Sequence, residues 1–231
     1  MSLYLTLLLA SVSIPLLLSF DRKVGFYKHW KYIFPSILIT AGFFILVDFY
    51  FTRWEIWGFN PRYHSGIILY GMPLEEWLFF ILIPYASLFI HYVFVSYCPY
   101  LKLNNSLLKI FSGLIALFLL LIILLNSSKI YTIVYFSLVI ILLAVSLLTK
   151  PDLLARYFIS FLIILVPFLI VNAILTGTFI DEEVVWYNDD QILGIRILTV
   201  PVEDIGYTFS LMLMNLLLIS GFERILRKKT V

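Results

Sequence analysis

The chain has 231 residues, of which 62% are hydrophobic and only 13% charged, against roughly half apolar and a quarter charged in soluble domains. That surplus cannot be hidden in one core, so lipid must be the solvent for much of it. A formal net charge of +2 gives no basis for a nucleic-acid partner, and the single Cys98 excludes an internal disulfide.

Seven apolar segments follow one another along the chain: Leu3–Phe20, Ile33–Phe51, Gly66–Tyr97, Leu107–Leu125, Ile130–Leu148, Arg156–Thr176 and Ile192–Gly221. Each is near or above the ~20 residues that a helix needs to cross the hydrocarbon core. The first has no cationic residues before it and reads as a span, not as a removed signal peptide. The third, interrupted by Pro73 and Pro84, and the seventh, interrupted by Pro201, are too long for straight spans; tilt or a proline kink is the expected reason. The short Asn126–Lys129 link makes the fourth and fifth helices an antiparallel hairpin. No segment alternates as a barrel strand would.

With the N-terminus placed outside, twelve of the sixteen Lys and Arg fall on inner segments. Only Arg53, Arg62 and Lys129 are outer, and Arg196 lies within the seventh segment. The positive-inside rule then gives N-out, C-in, with the basic Arg224–Lys229 tail as part of that signal.

The third and seventh segments share a motif. Gly66, Pro73, Glu75 and Glu76 match Gly194, Pro201, Glu203 and Asp204 at the same offsets, and Trp57 and Asn60 lie near the positions of Trp186 and Asn188. The reading is an all-α membrane protein of seven helices: a three-helix repeat (1–106), a linking span (107–129) and a second repeat (130–231). This 3+1+3 order makes the repeats parallel. The first acid of each motif would lie about 12 Å along its helix. Four intramembrane carboxyl groups demand a polar or catalytic reason, and a carboxyl kept from water favours the protonated form that can act as an acid. The competing structural reading is that these acids cap broken helices or fix packing with Arg196. Asp48 and Asn172 form a further, loosely aligned symmetric pair. His91 reads as a satisfied packing residue, and no His/Cys cluster suggests a metal.

Pro73-Leu-Glu75-Glu76-Trp77 and Pro201-Val-Glu203-Asp204 resemble the Pro-x-Glu-(Glu/Asp) signatures of the integral-membrane lycopene cyclases, in the form where the two halves are fused. The likeness extends to Trp57-Gly-Phe-Asn60-Pro and Trp186-Tyr-Asn-Asp. One departure is that Ile68 stands where the second half has Arg196, so the halves need not play equal roles. The resemblance implies a redox-neutral cyclisation of lycopene or a related acyclic carotenoid to β-ionone rings in the cell membrane. A proton adds to a terminal alkene, a neighbouring alkene attacks the cation, and a ring proton is lost. Glu75 or Glu203 would be the acid, with Glu76 or Asp204 as partner or base. Trp57, Trp77, Trp186, Arg196 and Tyr207 are candidate substrate contacts, the aromatic faces stabilising a cation. No flavin, nicotinamide or metal is expected, because no dinucleotide-binding glycine motif follows a strand. The alternative is a small-solute transporter built on the same 3+1+3 repeats. A retinal receptor is excluded because the seventh span has no lysine for a Schiff base.

Overall fold

The computed structural model describes residues 2–228, with side chains through Leu226. Met1 and the Lys229–Val231 end of the basic tail lie outside the described residues, so the orientation inferred from the two termini rests on loop charges alone. Among the described residues there are seven long helices: α1 (Leu3–Leu18), α2 (Trp30–Arg53), α3 (Leu74–Tyr97), α4 (Asn105–Leu125), α5 (Ile130–Thr149), α6 (Pro151–Leu175) and α7 (Glu203–Lys228). Six are long and apolar enough to cross a membrane; α1, at 16 residues, is about 24 Å long, short of the ~30 Å hydrocarbon core. The outer surface is apolar: Leu17, Leu125 and Leu148 are 76%, 82% and 86% exposed. This is a multi-pass membrane protein.

Local chemistry sets the helix ends. Ser2 accepts from the Leu5 amide and starts α1, and Asn104 accepts from the Leu107 amide and starts α4. Lys150 alone separates α5 from α6, where Pro151 takes the first helical position, at which no amide hydrogen is needed.

The excess length of the two long segments is a hairpin before the helix. In the first, residues 66–73 fold back as a hairpin of β2 (Ile68–Leu69) and β3 (Met72–Pro73), and α3 begins only after Pro73. Tyr70 and Gly71 both have positive φ, 52° and 84°, as a two-residue turn matching strand twist requires. In the second, β5 (Arg196–Ile197) pairs with β6 (Val200–Pro201) before α7. This corrects two expectations. The acids lie in the first turns of α3 and α7, not 12 Å along a helix, and Arg196 lies on a hairpin strand before α7, not within the seventh span.

The two halves pack alike. α1 lies on α3 as α5 lies on α7, α2 crosses to α7 as α6 crosses to α3, and α3 touches α7. α4 packs against α5 and α6 at the periphery, burying only Leu108 and Ser112. At one end β1 (Trp57–Phe59) pairs antiparallel with β4 (Val185–Tyr187). Reciprocal bonds flank the pair, Asn60 N to Val184 O and Asn188 N to Ile56 O, each 2.9 Å. Trp186 lies so close over Gly58 that a Cβ there would fall 2.5 Å from its ring; only glycine lets the strands meet. One apolar core, containing Phe44, Phe80 and Tyr135, lies under this ribbon, and a second, containing Phe26, Tyr157 and Leu213, lies beyond it.

Candidate active site

Beneath the β1–β4 ribbon, side chains from both halves converge on a small chamber. Glu76 from α3 and Asp204 from α7 face it, with Asp48 from α2 and Asn172 from α6. Tyr4, Tyr131, Tyr135, Tyr187, Tyr207, Trp57 and Phe79 supply its aromatic wall. Its volume is about 40 Å³, room for no more than a few waters. No Lys or Arg lines it, so the three carboxyl groups face one another without a cation in the wall.

Adjacent acids at a helix start point roughly 100° apart, and this divides the motif into two tasks. Glu75 and Glu203 turn away from the chamber and hold the chain that enters the helix. Glu75 Oε1 accepts from the Ser65 amide (2.6 Å) and the Ser2 hydroxyl (2.7 Å), and Oε2 from the Ser65 hydroxyl (3.2 Å). Glu203 Oε1 accepts from the Leu193 amide (2.6 Å) and the Thr132 hydroxyl (2.7 Å). Each lies in the first turn of its helix.

Glu76 and Asp204 turn inward. Tyr4, at the start of α1, donates to Glu76 Oε2 at 2.5 Å; Tyr131, at the start of α5, donates to Asp204 Oδ1 at 2.7 Å. Asp204 Oδ2 also accepts from the Tyr187 hydroxyl (3.0 Å) and the Asn172 amide (3.4 Å). Burial, then the charge of Asp204, holds the Tyr187 hydroxyl well above the ordinary tyrosine pKa, so it stays protonated as a donor. Asp48 Oδ1 accepts from Tyr135 at 3.1 Å. The loose Asp48–Asn172 pairing is structurally sound: the Thr52 and Thr176 hydroxyls bond back to the carbonyls of Asp48 and Asn172, both at 2.8 Å.

Of the residues singled out in the sequence, the structure brings Glu76, Asp204, Trp57 and Tyr207 into the chamber. It leaves Glu75 and Glu203 behind the wall as clamps. Trp77 lies beside the hairpin, its ring 6.0 Å from that of Tyr70, and Trp186 covers Gly58. Arg196 binds Asp189 (2.7 Å) and the Thr199 carbonyl (3.0 Å), with its guanidinium 5.9 Å from the Tyr187 ring; it contacts none of the four motif acids in hydrogen-bond range. His91 is buried and bonded to Ser160 Oγ at 2.7 Å, a packing residue as expected. Sequence reasoning found Tyr207 but missed Tyr4, Tyr131, Tyr135 and Tyr187. Extending the repeat upstream aligns Tyr4 with Tyr131 and exposes that pair, but no pattern points to Tyr135 or Tyr187.

The lycopene cyclase family matches this chain over residues 1–94 and again over 128–222, leaving out α4. The chain belongs to that family, an enzyme class of cyclase or isomerase type whose substrates are carotenoids held in lipid. No curated protein and no solved structure is similar enough to count as a match.

Proposed function

We propose that the protein is a lycopene β-cyclase: it adds a proton to the terminal alkene of an acyclic carotenoid end group and removes one after ring closure. The observation that carries this reading is the meeting of Glu76 and Asp204, one from each half, in a small aromatic-walled chamber with no cationic side chain in its lining. Three carboxyl groups in one small space would repel one another if all were charged, and a retained proton relieves that repulsion. Asp204, accepting from two hydroxyls and an amide, is the better-stabilised carboxylate and acts as the base. Glu76, accepting from one hydroxyl, holds the proton to be transferred. The cation formed between these events is stabilised by the aromatic faces that border the acids, Trp57, Phe79 and Tyr207, each ring contributing on the order of 1–2 kcal/mol when desolvated. Proton in and proton out leave the oxidation state unchanged, so the reaction consumes no reductant.

The repeats are 1–106 and 130–231, with 107–129 linking them. Loop charge supports a chamber end at the outer face of the cytoplasmic membrane, and reporter fusions at the two chain ends should give opposite signals. The decisive test is cyclisation by the purified protein in lipid, with lycopene as substrate and neither flavin nor nicotinamide added. β-Ring product identified by chromatography is the expected result. Unchanged lycopene, or activity that appears only with reduced flavin, would overturn the proposal.

A further inference from the structure

The acid chamber is too small for the end group it is proposed to transform. Two larger apolar cavities lie within the helices, of about 290 Å³ between α1, α3 and α6, and about 500 Å³ among α4, α5, α6 and α7. Only the smaller shares lining residues with the chamber, namely Phe79 and Asn172. Phe79 follows Glu76 by three residues on the same face of α3, and Asn172 bonds Asp204. Both proposed proton-transfer groups are therefore one residue from this groove.

The groove exists because its walls are cut back. Ser11 and Pro15 on α1, Ala86 on α3 and Pro167 on α6 line it, two of them small and two of them prolines inside helices. The pseudo-equivalent position between α5, α7 and α2 carries larger side chains. With Tyr4 matched to Tyr131, Glu76 to Asp204 and Asp48 to Asn172 by their shared bonding, Ser11 corresponds to Leu138, Pro15 to Leu142, Ala86 to Met214 and Pro167 to Phe43. Leu142 is buried, and Leu138 and Met214 pack on both apolar cores.

We infer that the α1–α3–α6 groove is the binding site for the polyene chain of the substrate and the single route by which end groups reach the acids. This rests on the proposed cyclase reading. A molecule bound this way presents one end at a time, so a bicyclic product requires release, reversal and a second entry.

Replacing Ser11 and Ala86 by their second-half counterparts, S11L and A86M, closes the groove with residues that this fold already accommodates. Product formation should fall roughly tenfold or more, since steric overlap replaces apolar contact, with protein abundance and melting temperature unchanged; each single variant should show part of the loss. Binding is read separately in an E76Q background, as the absorbance of acyclic carotenoid that co-purifies from lycopene-producing cells. E76Q should retain pigment, and E76Q/S11L/A86M should lose it. Filling the larger cavity with Leu119→Phe should change neither readout. Full activity and retained pigment in the S11L/A86M forms would overturn the inference, as would pigment loss from L119F or phospholipid in place of carotenoid in E76Q. If the wild-type chain binds pigment that the S11L/A86M variant loses, yet cyclises nothing, the groove stands and the cyclase reading fails.

Discussion

The first half offers its inward acid a single hydroxyl, Tyr4 to Glu76, whereas the second half surrounds Asp204 with Tyr131, Tyr187 and Asn172. At the matched position on the second helix of each half, one has Asp48 where the other has Asn172. The groove between α1, α3 and α6 is lined by Ser11, Pro15, Ala86 and Pro167, where the pseudo-equivalent positions carry Leu138, Leu142, Met214 and Phe43. Yet backbone bonds repeat almost atom for atom, from Leu74 N–Ile67 O (2.9 Å) and Val202 N–Ile195 O (3.0 Å) to the ribbon across the axis. Duplication therefore fixed the frame, and divergence settled on the side chains facing the shared chamber. An acid and a base need unlike surroundings, and two copies of one motif supply unlike surroundings only once their neighbours differ.

The sharpest test of that division compares the two acids within each motif. Glu76→Gln and Asp204→Asn keep shape and most hydrogen bonding but cannot exchange the proton, so each should lower cyclisation by about 10²–10⁴-fold. The same change at Glu75 or Glu203 weakens a clamp. It should act first on thermal stability, by about 1–3 kcal/mol for a charged hydrogen-bond network, and leave the rate per folded molecule within about tenfold of wild type. Product ratios normalised to folded protein by fluorescence-detected chromatography separate the two. If Glu75→Gln and Glu203→Gln abolish turnover without loss of melting temperature while Glu76→Gln cyclises normally, the inward and outward roles are reversed.

Much of this arrangement was legible before any coordinates. Composition and segment length gave the membrane helices, and the doubled motif gave the pairing of α3 with α7. The depth of the acids was not legible, because hydropathy cannot distinguish an apolar hairpin from the start of a span. Ile67, Ile68, Leu69 and Tyr70 are all apolar or aromatic, and so are Ile195, Ile197 and Leu198; they are exposed on the surface. In the second hairpin Leu198 takes a positive φ of 56°, a conformation that leucine does not advertise. Pro73 then read as a kink, although it stands as the N-cap of α3, a position that its missing amide hydrogen suits as well. Which of two adjacent carboxyl groups faces inward depends on where the first turn begins, and so that too was out of reach.

The smallest effect discriminates between the halves most directly. Tyr4→Phe removes the one hydroxyl seen on Glu76, whereas Tyr131→Phe leaves Asp204 with Tyr187 and Asn172. A neutral hydrogen bond contributes about 0.5–1.5 kcal/mol net, and about 1.5–3 to a charged group. Loss of Tyr131 weakens a carboxylate that keeps two other donors, so the rate should fall only a few-fold, within the ~10-fold that 1.4 kcal/mol represents. Loss of Tyr4 frees the Glu76 side chain to rotate away from the alkene, because nothing else seen in the chamber bonds it, so its cost should be the larger in rate at saturating substrate. The comparison is the ratio of the two single-variant rates under identical abundance, with the double variant closing the cycle. Additive losses, Tyr4 the greater, fit an acid held by one donor and a base held by three; equal losses would mean that the two acids have equivalent surroundings and that the assignment of acid to Glu76 and base to Asp204 is wrong.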